Sequence, residues 1–176
     1  MQVQFAELIP AALQIIEKSA VVQEDDEAIK SFIELAENSP KVLRPFVPQC
    51  FDLMLKICGT NELEELWRHL GFEFIVSLTE EVPARVRKHH KYIEPIVQQA
   101  LAFMVDLDDN LETWSKEESI DDEDNDSGSV VGETGLDRLA CALEGKAILP
   151  HVTPAVSQML CHIQQALAFM LDLDDN

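Results

Sequence analysis

The sequence predicts an all-α fold built as a stack of helical pairs, and three observations support this prediction. Apolar residues recur three and four positions apart, as in Leu8, Leu13 and Ile16, which is the spacing of one buried helix face. Alternating strand-like stretches and hairpin dipeptides are missing from the sequence. Pairs of predicted helices also recur along the chain, so the predicted fold class is an α-solenoid.

Seven helices are predicted, separated by turn-forming residues. They lie near 4–19, 26–38, 43–58, 62–79, 84–106, 134–145 and 149–171. The turns between them contain Asp25-Asp26, Ser39-Pro40, Gly59-Thr60-Asn61, Glu81-Val82-Pro83 and Gly145, residues that favour turns and helix ends. Pro95 falls inside the fifth predicted helix, so that helix is either kinked or begins later than its apolar pattern suggests.

Prolines mark every second helix of the predicted stack. Pro10, Pro48, Pro95 and Pro154 are separated by 38, 47 and 59 residues, and an apolar residue precedes each of them by two positions. Two-helix units with a period of about 40–47 residues are typical of HEAT or armadillo repeats. A proline in the first turn of a helix costs little, because its missing N–H has no partner there. We therefore expect a HEAT-repeat α-solenoid fragment.

Charge divides the chain into three parts. The net charge is −20, and residues 106–126 alone hold eleven acidic residues and one lysine. We predict helical pairs over 1–107, an acidic, disordered loop over 108–133, and a continuation of the stack over 134–176. Such a charge disfavours direct binding to nucleic acid or to anionic membranes and favours basic partners.

A second repeat is unrelated to the helical period. Residues 98–110 recur as 164–176, and the two copies differ only at Val105 and Leu171. Because solenoid repeats diverge widely, such near-identity indicates a recent partial duplication rather than structural periodicity. We expect the chain to be a truncated piece of a longer solenoid.

Several stretches resemble the importin-5 (karyopherin-β3) branch of the importin-β family, and the resemblance implies a plant relative. They are IELAENSPKVLRP (33–45), EFIVSLTEEVPARVRKH (73–89), ALAFMVDLDDNLETW (101–114) and GLDRLACALEGKAILPHV (135–152). The resemblance runs in unbroken order over about 1–162 and departs after Cys161. It implies HEAT repeats from the interior of a nuclear import receptor that works in cytoplasm and nucleus. Such receptors carry cargo inward and release it on binding Ran-GTP.

The acidic segment is the leading candidate for partner binding. Five acids in six positions repel one another and can pair with lysine or arginine, and a nearby tryptophan can anchor a partner. The candidate residues are Asp121, Asp122, Glu123, Asp124, Asp126 and Trp114. The resemblance supports a basic cargo signal or Ran-GTP as the partner, and a solvating spacer without a specific partner is the alternative.

Calcium binding is a sharper but poorer interpretation of the same segment. Asp106, Asp108, Asn110 and Glu117 take positions 1, 3, 5 and 12 of an EF-hand loop, as do Asp122, Asp124, Asp126 and Glu133. Both sets have Leu111 or Ser127 where the loop requires glycine. We expect no metal site and no cofactor.

Two other charged sets admit a functional interpretation. Arg85, Arg87, Lys88 and Lys91, together with His89 and His90, form a basic cluster that either holds an acidic partner, docks the acidic loop or is a solvated turn. Acids of the alternate helices, Glu34, Glu37, Glu73 and Glu80, either face cargo or form a solvated helix face. The resemblance implies that these helices line the concave side of the solenoid.

The remaining chemistry-bearing residues fit a structural role. The four cysteines follow no metal-ligand spacing, and we expect reduced, buried thiols. Trp67, Phe72, Phe74 and Phe103 are predicted core residues. Recognisable nucleophile, phosphate-loop and HExxH motifs are missing, so we expect a monomeric binding protein and not an enzyme. A duplicated derivative that serves only as an interaction module is the alternative to an import receptor.

Overall fold

A computed structural model describes residues 2–105 and 127–174, with no strand among them. The helices are α1 (Gln2–Val22), α2 (Glu27–Asn38), α3 (Pro40–Leu43), α4 (Val47–Cys58), α5 (Glu65–Glu81), α6 (Pro83–Lys88), α7 (Ile93–Val105), α8 (Gly128–Leu143) and α9 (Gly145–Asp174). Short 3₁₀ turns precede α4 and α7, at Arg44–Phe46 and His90–Tyr92.

The helices form two layers. Helices α1, α4, α7 and α9 pack in sequence along one layer, and α2, α5 and α8 pack along the other. We call these layer A and layer B. Each helix of layer B also packs against the helix of layer A that adjoins it in the chain. This is the arrangement of a HEAT-type solenoid, and it confirms the predicted fold class.

Aromatic side chains fill the space between the layers. Trp67, Phe72, Phe74 and Phe103 are at most 2% exposed, which confirms them as core residues. The Phe32 and Phe74 rings stack at 5.1 Å between α2 and α5. Phe51 and Tyr92 meet edge to face along layer A, and Phe72 and Phe103 meet edge to face across the layers. Such contacts between neighbouring units hold a solenoid together, since a single helical pair leaves its apolar face uncovered.

The fifth predicted helix, 84–106, is in fact two helices. Pro83 opens α6, and the chain leaves helical geometry at His89, with φ −103° and ψ 45°. After a 3₁₀ turn, α7 begins at Ile93, which places Pro95 in its first turn. The later start is therefore correct, and the proline removes no hydrogen bond.

Prolines do not always open helices in this chain. Pro48 lies in the first turn of α4 as predicted. Pro10 and Pro154, in contrast, lie well inside the long helices α1 and α9, so the expectation of a first-turn proline is wrong at these two positions.

The C-terminal pair begins earlier than the sequence indicates. Helix α8 starts at Gly128, whereas the pattern predicted a start at 134. The last six residues of the predicted loop, 128–133, are thus helical, and its remainder falls outside the described residues except for the bend at Ser127. The apolar pattern did not show this earlier start, because the first turns of α8 contain polar residues and glycines. The helix packs through glycines instead of large apolar side chains.

Two of the four cysteines differ from the prediction. Cys50 and Cys58 are buried, but Cys141 and Cys161 are exposed, and none of the four forms a disulfide. Burial raises the pKa of the Cys50 thiol to about 12. Cys50 is therefore held as the neutral thiol at ordinary pH.

None of the described helices combines the length and the apolar composition that a membrane span needs.

Candidate partner-binding surface

The leading candidates for partner binding, those of the acidic segment, all lie in a part of the chain that the structure does not describe. Asp121, Asp122, Glu123, Asp124, Asp126 and Trp114 fall within 106–126, as does most of each calcium-loop match. Among the described residues, no three His, Cys, Asp or Glu side chains cluster closely enough to hold a metal ion. The geometry of a candidate surface must therefore come from the described helices.

Layer B carries the second set of predicted acids. Glu34 and Glu37 are exposed on α2, and Glu73 and Glu80 lie on α5 at the side that meets α8. The structure therefore brings Glu73 and Glu80 together, while Glu34 and Glu37 form a separate pair on the neighbouring helix. The two pairs differ in what they contact.

Arg138 of α8 occupies the position between Glu73 and Glu80. Its Nη1 group donates to both carboxylate oxygens of Glu73, at 2.9 and 2.8 Å. Its Nη2 and Nε groups donate to Glu80 at 2.6 and 3.2 Å. The Ser77 hydroxyl also donates to Glu73 at 2.9 Å, which fixes that carboxylate. One guanidinium thus joins two carboxylates that are seven residues apart on α5, a use for which arginine is better suited than lysine.

This clamp changes the charge available to a partner. The hydrogen bonds that Arg138 donates to Glu80, and then those to Glu73, raise its pKa above the ordinary value despite partial burial. Arg138 is therefore a permanent cation that offsets one of the two carboxylate charges. By contrast, neither Glu34 nor Glu37 pairs with a cation among the described residues. Within the described residues, Glu34 and Glu37 are therefore among the unpaired carboxylates of layer B, together with Glu81 on α5 and Glu133 and Asp137 on α8.

Glycines bring α8 close to its neighbours. A Cβ atom on Gly132 would lie 2.5 Å from the carbonyl oxygen of Ala100 in α7, and one on Gly135 would overlap the Phe72 ring of α5. Close approach of this kind needs a residue without a side chain. It places Arg138, one turn after Gly135, within reach of both carboxylates on α5.

A groove of about 530 Å³ lies between α5 and α8. Leucine, valine and glycine residues form the apolar part of its walls. Its polar groups come from Glu65, His69, Glu73, Thr134 and Arg138. His69 lies 3.3 Å from Glu65 through Nε2. The groove therefore combines an apolar wall with carboxylates, which suits a chain segment carrying both apolar and basic side chains.

The predicted basic cluster lies in α6 and in the 3₁₀ turn after it. Arg87 contacts Glu144 at 3.6 Å and donates to the Ala142 carbonyl oxygen at 3.3 Å. Lys91 lies 4.5 Å from the centre of the Tyr92 ring. The cluster is therefore divided, because some of its members bind within the chain and others face solvent.

Sequence reasoning missed Arg138 as a member of this surface. The residue is the lone arginine after 127, but its partners lie 58 and 65 positions away. The available signal was a basic residue on α8, the third helix of layer B, opposite two acids on α5, the second. It becomes usable only when the pairing of α5 with α8 is known.

Fold and surface together define a repeat-built helical scaffold with carboxylates along one helical layer. Comparison with known families agrees, since residues 60–150 match the importin repeat and residues 1–53 match the IPO5-like TPR repeats. The chain belongs to the importin-β family of nuclear transport receptors. Members of this family are non-enzymatic, in agreement with the expectation from the sequence.

Solved structures of the karyopherin Kap121p share this fold. The chain is similar to Kap121p bound to the extreme C-terminus of the protein phosphatase Cdc14p, with 22% identity and a TM-score of 0.73. It is similar to Kap121p bound to RanGTP, with 23% identity and a TM-score of 0.72. The chain is covered to 86% in both comparisons and spans 15–16% of the length of those proteins.

Proposed function

We propose that this chain is a segment of an importin-5-type nuclear import receptor, of plant origin, that recognises basic cargo and Ran-GTP without covalent chemistry. The observation that carries the proposal is the acidic surface of layer B, with Glu34 and Glu37 free of described cations on α2. The family assignment and the partners named for Kap121p support it. The protein is proposed to act as a monomer that moves between cytoplasm and nucleus.

The Arg138 clamp supports a preference for basic partners. It shows that two carboxylates of layer B hold a guanidinium with five donor–acceptor distances of 3.2 Å or less. Lysine and arginine of a cargo signal meet the same chemistry at Glu34 and Glu37. The acids at 121–126 are proposed to attract the same partners over a longer range.

A binding measurement with the purified chain tests the proposal. The ligands are Ran-GTP, Ran-GDP and a labelled Lys/Arg-rich import-signal peptide, measured at low and physiological salt. We expect the chain to bind Ran-GTP in preference to Ran-GDP. We expect Glu34→Gln/Glu37→Gln to raise the peptide Kd by about tenfold, which is ~1.4 kcal/mol. Replacing the acids at 121–126 by Asn or Gln should reduce the salt dependence of binding.

The control variant is Glu7→Gln/Glu94→Gln, which removes the same charge from exposed positions of layer A. It should leave the peptide Kd within about twofold of the original value. If both variants raised the peptide Kd equally, binding would depend on the overall charge of the chain and not on Glu34 and Glu37. A chain that is helical by circular dichroism and binds neither Ran-GTP nor the peptide would contradict the proposal and favour the interaction-module alternative.

A further inference from the structure

We propose that a groove at the turn edge of the solenoid, between the Arg44–Phe46 turn and α6, binds an acidic peptide segment of a partner protein. The groove has a volume of about 460 Å³. Its cationic residues are Arg44, Arg85 and Lys88, and we call it the basic groove. Its ligand has the opposite charge to the cargo proposed above, so the two proposals are independent.

Two consecutive units build the basic groove. Arg44 comes from the turn before α4, and Arg85 and Lys88 come from α6, the equivalent position of the next unit. Arg85 Nε donates to the Arg44 carbonyl oxygen at 3.3 Å, which ties the two units together and holds Arg85 at the groove. Repeat stacking, and not adjacency in the chain, therefore brings Arg44 to Arg85 and Lys88.

These cations differ from several others in the described residues. Lys30, Lys56 and Arg138 each contact a carboxylate at 2.9 Å or less. Arg44, Arg85 and Lys88 form no ion pair with any described residue, and all three are exposed. A chain with 33 acids and 13 Lys and Arg residues has enough carboxylates to pair every cation. Cations that stay unpaired at one edge therefore create a local positive potential.

The apolar part of the groove points to a peptide. Pro45, Val82, Pro83 and Ala84 line it beside the cations, and Glu81 is its acidic lining residue. Prolines at both sides give the groove a rigid backbone, which lowers the ordering cost of binding. Mixed apolar and cationic walls fit a short segment with carboxylates and an aliphatic side chain. A nucleic acid fits poorly, since the rest of the chain is strongly acidic.

Fluorescence anisotropy with a labelled Glu/Asp-rich peptide carrying a central leucine tests this site. The comparison peptide has Gln and Asn in place of the acids. We expect the full chain to bind the acidic peptide, and Arg44→Glu/Arg85→Glu to raise its Kd at least about tenfold. The milder variant Arg44→Gln/Lys88→Gln should also raise the Kd. It replaces the charge-reversal variant as the test if circular dichroism shows that charge reversal disturbs folding.

The matched control is Lys18→Glu/Lys146→Glu, which makes the same charge change at two exposed lysines outside the basic groove. It should leave the Kd within about twofold. The proposal is overturned if the unaltered chain does not bind the acidic peptide, or if both charge-reversal variants weaken binding equally. It is also overturned if a single-stranded oligonucleotide displaces the peptide at equal or lower concentration, because the groove would then select phosphate.

Discussion

Arg138 connects two helices of layer B through its side chain. It lies between Glu73 and Glu80, and its side chain is 29% exposed. Removing it leaves two carboxylates on one side of α5 without their cation, which is more costly than losing an isolated surface pair. The residue therefore matters to stability as well as to the charge that layer B presents.

We expect Arg138→Ala to lower the free energy of unfolding by about 1–2 kcal/mol, since several charge-assisted hydrogen bonds are lost at a partly exposed site. Urea denaturation followed by circular dichroism measures this change. The control is Arg87→Ala, which breaks a 3.6 Å pair whose glutamate side chain is 74% exposed. That variant should lose about 0.5 kcal/mol or less.

A second comparison isolates the clamp. In the background of Glu73→Gln/Glu80→Gln, replacing Arg138 by Ala should cost clearly less than in the original chain, because the carboxylates it pairs with are gone. Equal losses in both backgrounds, or a loss no larger than that of Arg87→Ala, would show that the clamp does not stabilise the chain.

At the scale of the element, the packing of α8 depends on glycines, which have no side chain. Gly132 and Gly135 face α7 and α5 at distances that exclude a side chain. Glycine inside a helix costs about 1 kcal/mol relative to alanine. That cost is offset by close packing, which also sets the position of Arg138.

Gly135→Ala tests this balance. Helix propensity alone predicts a gain of about 1 kcal/mol, whereas overlap with the Phe72 ring predicts a loss of about 1–3 kcal/mol. We expect the loss to prevail, because Phe72 is 1% exposed and has little room to move. Thermal unfolding measures the outcome.

Gly145→Ala is the control for this prediction. Gly145 opens α9, and the nearest atom to an added Cβ would be Leu149 Cδ1 at 3.6 Å, an ordinary contact. This variant should be neutral or slightly stabilising. If both variants stabilise the chain, the close approach of α8 to α5 is not a packing constraint.

Element boundaries show why apolar spacing predicts some helices well and others poorly. Helix α2 carries its buried residues at Ile29, Phe32, Ile33 and Ala36, and its observed bounds differ from the predicted ones by one residue. Helix α8 buries glycines in its first half, so apolar spacing cannot locate its start. The break between α6 and α7 also leaves the apolar pattern intact, because Val86 and Tyr92 on either side of it are both buried.

At the scale of the whole molecule, net charge opposes compaction. A charge of −20 on 176 residues favours expanded states through self-repulsion. Repeat proteins bury their core mainly between neighbouring units. Screening of this repulsion by added salt should therefore stabilise every unit of the stack.

We expect added salt to raise the melting temperature. Between about 0.02 and 0.15 M NaCl the screening length falls from roughly 20 to 8 Å, and Tm should rise by a few degrees. A variant with the acids of 106–126 replaced by Asn or Gln should respond less, because these residues hold eleven of the 33 acids. An unchanged Tm, or equal responses of both proteins, would argue against self-repulsion.

The sequence by itself determined the all-α class, the alternation of two kinds of helix, the family resemblance and the aromatic core. These follow from local spacing and from repeats along the chain, which a linear pattern carries in full. Only the tertiary structure decided that Arg138 pairs with Glu73 and Glu80, that α8 lies close through glycines, and that Arg44 joins Arg85 and Lys88. Each of these depends on which helices stack, because the partners are separated by about one repeat or more in the sequence. Stacking is a property of the whole solenoid, and no single segment encodes it.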